Sequence, residues 1–201
     1  MIRAGSTVGF VGLGRMGTPM ATRLAEAGYR VRGYDVSEQA VSSWAERAGG
    51  ACPAASLDAA AAGAAAVILM LPDSAVVRRV IGGLDLTPDA VVVDMSSSEP
   101  LVTRELARRV TLVDAPVSGG VVGAVSGQLT IMAGGAPADI DRVRPLLDVL
   151  GARVVHCGDV GAGHAVKALN NLLSATHLLA ASEAMAAAAS ASSAGRVNMD
   201  S

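Results

Sequence analysis

The chain has 201 residues, of which 51% are hydrophobic and 17% charged, with a formal net charge of −2. That balance supplies apolar surface for a sizeable core and excludes a largely disordered chain, while the lack of any basic run excludes nucleic acid as the expected partner. Two cysteines, Cys52 and Cys157, make neither a disulfide framework nor a zinc-ligand pattern, so a reducing, cytoplasmic compartment is expected.

Val8 to Val11 form a short apolar strand, too short for a secretory signal, that runs into Gly12-Leu13-Gly14-Arg15-Met16-Gly17. A helical pattern follows over Met16 to Ala27, with Met20, Leu24 and Ala27 on one face and Gly28 as its stop. This is the G-x-G-x-x-G of a dinucleotide-binding βαβ unit. Gly12 allows the tight turn, Gly14 lets a pyrophosphate approach the backbone, and Gly17 lets the helix pack close to the sheet. The helix N-terminus offers N–H donors to a diphosphate. An ordinary strand-to-helix turn accounts for the same glycines, so the motif alone does not decide. Tyr29 to Tyr34 reads as a second strand and ends at Asp35, 23 residues after Gly12. Asp35 fits two roles: acceptor for an adenosine ribose 2′-hydroxyl, or cap of the helix from Ser37 to Arg47. A carboxylate in the first role repels a 2′-phosphate, which favours NAD over NADP.

Ser56 to Ala65 is an alanine-rich helix, and Ala66 to Leu71 a continuous apolar strand of the kind covered on both faces. It stops at Pro72-Asp73-Ser74. A helix over Ala75 to Ile81 leads through Gly82-Gly83 to the strand Ala90 to Asp94. Ser96-Ser97-Ser98 then either present hydroxyls to a cofactor or cap the helix that begins near Pro100. Leu101 to Arg109 is helical. The strand Thr111 to Asp114 leaves through Ala115-Pro116-Val117-Ser118-Gly119-Gly120, a second glycine turn. Leu129 to Ala133 is a strand, Asp139 to Leu150 a helix, and Arg153 to His156 a closing strand. The alternation predicts an α/β fold over residues 1–162, a doubly wound, mostly parallel Rossmann sheet. One long helix over 163–190 and a disordered tail over 191–201 are expected to follow. Asn170, Asn171, His177 and Glu183 interrupt the apolar run Leu169 to Ala189, so it is read as a buried or oligomer-facing helix and not as a membrane span.

Lys167 and Asn171 lie four apart on that last helix and share a face, with His164 one turn before the lysine. Of 16 basic residues, Lys167 is the only lysine. Arginine keeps its proton near neutrality whereas a desolvated lysine can release one. A single retained lysine therefore suits proton transfer, although a solvated lysine near a helix end is the commoner case. Ser118-Gly119-Gly120 offers a hydroxyl and unobstructed N–H groups to an anion such as a substrate carboxylate, or is a plain turn.

GLGRMGTPMATRLAEAG at Gly12 to Gly28, Leu71-Pro72, DAPVSGG at Asp114 to Gly120 and GAGHAVKALNN at Gly161 to Asn171 occur in order. Together they resemble the β-hydroxyacid dehydrogenases, the group of 3-hydroxyisobutyrate dehydrogenase, tartronate semialdehyde reductase and 6-phosphogluconate dehydrogenase. The resemblance implies that Gly12, Leu13, Gly14, Met16 and Gly17 cradle NAD, with Asp35 at its ribose. It places Leu71 and Pro72 toward the nicotinamide half, and Ser97 at the family's cofactor-binding hydroxyl position after the fourth strand. Ser118, Gly119 and Gly120 hold a small hydroxyacid by its carboxylate, Lys167 is the general acid/base, and Asn171 orients the substrate oxygen. Related imine-reducing enzymes usually lack this lysine. The family continues into an all-helical C-terminal domain, so a truncated chain is expected here. Three functions follow: an NAD-dependent dehydrogenase, a cofactor-binding but catalytically weak paralogue, or an oligomeric interaction protein that has lost cofactor binding. Leu172, Leu173, Leu178 and Leu179 lie on an apolar face expected to drive homo-oligomerisation.

Overall fold

Side-chain alternation along the central strands sets the architecture. In the computed structural model, which describes residues 1–197, β1 (Thr7–Val11) sends Val8 and Phe10 into one apolar layer and Val11 into the other. The chain continues through α1 (Gly17–Glu26), β2 (Arg30–Tyr34), α2 (Glu38–Arg47), β3 (Cys52–Pro53), α3 (Leu57–Ala61) and β4 (Ala66–Leu69). In β4, Ala66 and Ile68 join the first layer, and Val67 and Leu69 the second. α4 (Ser74–Gly83), β5 (Val91–Asp94), α5 (Pro100–Leu106) and β6 (Leu112–Asp114) follow. β5 divides its valines the same way. Strands covered on both faces need no polar side, which is why they read as unbroken apolar runs.

β3-β2-β1-β4-β5-β6 stand side by side and parallel. The order reverses at β1, so the carboxyl ends of β1 and β4 open onto a crevice where doubly wound sheets bind ligands. Beyond β6 come β7 (Val117–Ser118), α6 (Gly120–Ser126), β8 (Leu129–Gly134), α7 (Pro137–Leu150) and β9 (Gly151–Gly158). β8 runs antiparallel to both β6 and β7 and parallel to β9. The sheet is therefore mostly parallel, with one antiparallel turn-back after the second glycine turn. β3, β7 and α6 were not anticipated. β3 and β7 are two residues each, and the GVVGAVS of α6 places two glycines in one short helix.

Helix ends follow the local chemistry. Ser37, Ser56 and Asp73 cap α2, α3 and α4 by accepting the N–H of Ala40, Ala59 and Val76. Pro100 and Pro137 stand in the first turns of α5 and α7. Gly28, at φ +88°, ends α1 as expected, whereas Ala27 is exposed and does not belong to its packed face. α4 absorbs Gly82 and Gly83, which the sequence placed in a loop.

α8 (Ala162–Val197) is the last element. The chain divides into two units, Met1–Lys167 and the segment from Ala168, so the start of α8 belongs to the first. In the second unit Leu172, Leu173, Leu178 and Leu179 are exposed. By length and composition alone, Ala162–Ala191 could cross a membrane. Residues 191–197 are helical where the sequence leads one to expect a disordered tail. The rest of that expected tail, 198–201, lies outside the described residues.

Candidate functional site

The β1 exit is fixed by the chain's own backbone. Gly12 adopts φ +98°, and a Cβ there would stand 2.2 Å from the Met70 carbonyl oxygen. One on Gly17 would stand 1.8 Å from the Gly12 oxygen. Gly14 differs, since no atom lies within 4 Å of its Cβ position. Two glycines thus close the turn and the third keeps its outer side clear. Thr18 Oγ1 donates to the Leu13 carbonyl at 2.6 Å, tying the turn to α1.

A groove of about 580 Å³ opens beside this turn, lined by Gly12, Gly14, Met16, Gly17, Asp35 and Leu71, with Pro72 also on its wall. Asp35 Oδ2 accepts the Leu13 N–H at 2.7 Å and Oδ1 the Ser37 N–H at 2.9 Å. Asp35 therefore does not cap α2, a role Ser37 takes, and instead ties the end of β2 to the glycine turn. Arg15 and Arg79 also line the groove. Neither carries a signal in the sequence: Arg15 fills a variable place in the motif, and nothing local marks Arg79 on α4. A turn with its outer side free, a carboxylate at the β2 end and two guanidinium groups suit the phosphates and ribose of a dinucleotide.

The serines after β5 divide their tasks. Ser96 Oγ accepts the Leu71 N–H at 2.9 Å, and Ser98 Oγ donates to Asp94 Oδ2 at 2.7 Å. Both are buried, and Ser97 between them is exposed. None of the three caps α5, whose preceding residue is Glu99. Below them lies a polar network that the sequence did not reveal. Asp114, at the end of β6, accepts the Gly161 N–H through Oδ1 at 2.6 Å and the His164 N–H through Oδ2 at 2.8 Å. The His164 ring reaches Thr103 Oγ1 through Nδ1 at 2.8 Å and the Ser96 carbonyl through Nε2 at 3.1 Å. Asp94, Asp114 and His164 are each 1% exposed or less. This network joins the β5 end, the β6 end that leads to Ser118, and the first turn of α8.

Ser118 ends β7 half-buried, and Gly119 and Gly120 are exposed with φ of +127° and +60° at the start of α6. Lys167 is half-buried on α8, and burial holds its ammonium below the ordinary lysine range. Asn171, four residues on, is exposed and belongs to the second unit.

Residues 7–158 match the NAD binding domain of 6-phosphogluconate dehydrogenase. The chain belongs to that family. It is also homologous to NAD(P)-dependent β-hydroxyacid dehydrogenases. It is 38% identical over 188 residues to 2-(hydroxymethyl)glutarate dehydrogenase of Eubacterium barkeri, covering 89% of this chain and 62% of that protein. It is 36% identical over 199 residues to the mitochondrial 3-hydroxyisobutyrate dehydrogenase of Drosophila melanogaster, covering 92% and 61%. Among solved structures, Mycobacterium tuberculosis 3-hydroxyisobutyrate dehydrogenase with L-serine superposes with a TM-score of 0.87 at 36% identity, covering 93% of this chain and 66% of that one. The chain spans about three fifths of the length of the curated relatives it matches.

As a member of the 6-phosphogluconate dehydrogenase NAD-binding family, the chain has its groove at the carboxyl ends of β1 and β4. A second hollow of about 560 Å³, lined by Pro88, Arg108, Arg109 and Asp139 among others, lies at the other end of the sheet, next to the starts of β5 and β6. Ligands of doubly wound sheets bind at the carboxyl ends, which makes the first groove the candidate site for a cofactor.

Proposed function

We propose that the chain carries the cofactor-binding and proton-transfer machinery of an NAD-dependent dehydrogenase acting on a small 3-hydroxy acid. Gly12, Leu13, Gly14, Met16 and Gly17 would hold the diphosphate, Asp35 the adenosine ribose, and Leu71 and Pro72 the nicotinamide half, with the Ser97 hydroxyl as a further cofactor contact. Asp35 supports NAD over NADP, because its carboxylate repels a 2′-phosphate. When bound, such a cofactor supplies the hydride acceptor in oxidation and the donor in reduction. Ser118, with the N–H groups of Gly119 and Gly120, takes the substrate carboxylate. Lys167 Nζ takes the hydroxyl proton in oxidation and returns it in reduction, and Asn171 orients the same oxygen. Proton transfer by a well-placed group contributes about 10²–10⁴-fold.

One observation carries this reading: the only lysine is half-buried, with its ammonium depressed, on the helix whose first turn the Asp114–His164 network holds beside the strand ends. Since burial lowers the Lys167 pKa, the free amine forms at lower pH than in an ordinary lysine. Oxidation of 3-hydroxyisobutyrate is therefore expected to rise with pH to a plateau whose midpoint lies below the ordinary lysine range, and reduction to fall over the same interval. The measurement is a pH–rate profile beside an NADH titration followed by cofactor fluorescence. NADH binding without turnover favours a cofactor-binding, catalytically weak protein. Turnover left unchanged by Lys167→Ala removes the lysine from the mechanism.

The exposed leucines of α8 support self-association. Light scattering on a concentrated sample is expected to give a multiple of the chain mass, and a monomer there sinks the idea.

A further inference from the structure

We propose that His164 is a positioning residue: a buried clip that fixes the first turn of α8, and with it Lys167, against the carboxyl ends of β5 and β6. The inference rests on the reading of Lys167 as the proton-transfer group.

A helix start can be held by apolar packing alone, and such packing tolerates sliding and rotation. Here the attachment is polar and directional. The His164 N–H and the Gly161 N–H each take one oxygen of Asp114, which sets the height of the turn on β6. The ring then sets its rotation. The Ser96 carbonyl can only accept, so Nε2 carries a proton. Nδ1 faces Thr103 Oγ1, whose hydroxyl also lies 3.1 Å from the Glu99 carbonyl. The charged groups facing the ring are Asp94 Oδ2 on the Nε2 side and Asp114 Oδ2 on the Nδ1 side, each at 3.8 Å. Neighbouring Gly163 leaves no slack, since a Cβ there would stand 2.2 Å from the Met132 carbonyl oxygen.

The chosen partners add the functional point. Ser96, which receives the ring through its carbonyl, receives the Leu71 N–H through its hydroxyl. Leu71 lines the cofactor groove. The lysine-bearing turn is thus referenced, through one histidine and one serine, to the strand exit beside the nicotinamide half. Polar groups so deeply buried are costly unless every bond is made. A fully satisfied set is sensitive to shifts that an apolar contact would absorb.

Because Lys167 is the only lysine, its amine can be followed by itself. The full chain is dimethylated with ¹³C-formaldehyde, and the Lys167 methyl signal is titrated by NMR apart from that of the N-terminus. His164→Ala is expected to raise the lysine midpoint by about half a pH unit or more, as the loosened turn lets water reach the amine. His164→Gln, which keeps an N–H donor for the Ser96 carbonyl, is expected to restore most of the wild-type value. If His164→Ala does not fold, Thr103→Val carries the test, because it removes only the hydroxyl facing Nδ1; the same upward shift is expected. A folded variant whose midpoint stays at or below the wild-type value overturns the proposal. In a chain that turns over, kcat is expected to fall about 10²-fold in His164→Ala, with the cofactor KM within about twofold. The titration needs no turnover, so the two readings separate. An inactive chain with a responsive lysine keeps the positioning role and loses the reaction. An active chain with an unresponsive lysine does the reverse.

Discussion

Two of the three glycines at the exit of β1, Gly12 and Gly17, are hemmed in by backbone, whereas Gly120 at the exit of β7 stands in open space. Gly12 and Gly17 each exclude a side chain because a carbonyl oxygen already occupies its place. Gly120 is surrounded by nothing within 4 Å, and only its φ of +60° calls for glycine. Gly119 is intermediate, with the flexible end of Leu129 at 3.3 Å from its Cβ position. The two turns look alike as strings of letters. The first is part of the fold, while the second is a conformational choice that can change at modest cost.

That contrast can be broken by substitution. Gly17→Ala is expected to do the most damage, destabilising by about 3 kcal/mol or more, because the clash is with backbone and neither partner can yield. Urea unfolding should show it together with loss of NADH binding; near wild-type stability would mean that the turn is softer than its contacts imply. Gly14→Ala sharpens the comparison within the same motif. Its surroundings are open, so stability is expected to change by only about 0.5 kcal/mol, while NADH affinity falls about tenfold or more. A variant with unaltered affinity would show that no phosphate approaches there. Gly120→Ala is expected to cost about 1–2 kcal/mol through its left-handed backbone alone. NADH binding should stay intact and any hydroxyacid KM should rise. Loss of cofactor binding would show that the second turn is not independent of the first.

The sequence made the first turn legible and left most of the second obscure, for physical reasons. β1, β4 and β5 announce themselves as apolar runs because both faces are covered. Asp35 is found by its spacing, since a βαβ unit has a nearly constant length. β7 and α6 carry no such signal: two residues cannot show a period, and Gly120 and Gly123 are poor helix formers, of which only Gly123 packs beside Leu129. The polar network was out of reach for another reason. Thr103 and His164 are 61 residues apart, and Ser96 and His164 are 68 apart. Each reads locally as an ordinary polar residue, and only the sheet topology brings them together. Lys167 stands out in composition as the one lysine in a chain of arginines, whereas the groups that hold the start of its helix carry no such mark.

Trp44, the only tryptophan, lies fully buried under β2, where a Cβ on Gly33 would stand 2.4 Å from its ring. Its indole N–H has no acceptor among the described residues. An indole in dry surroundings without a hydrogen bond emits at short wavelength, and Gly33 stands two residues before the Asp35 that rims the groove. The chain therefore contains a single optical gauge, unmixed with any other tryptophan, two residues along β2 from the groove's rim. A red shift of that emission during denaturation would mark the moment when β2 and α2 part, whatever the rest of the sheet is doing.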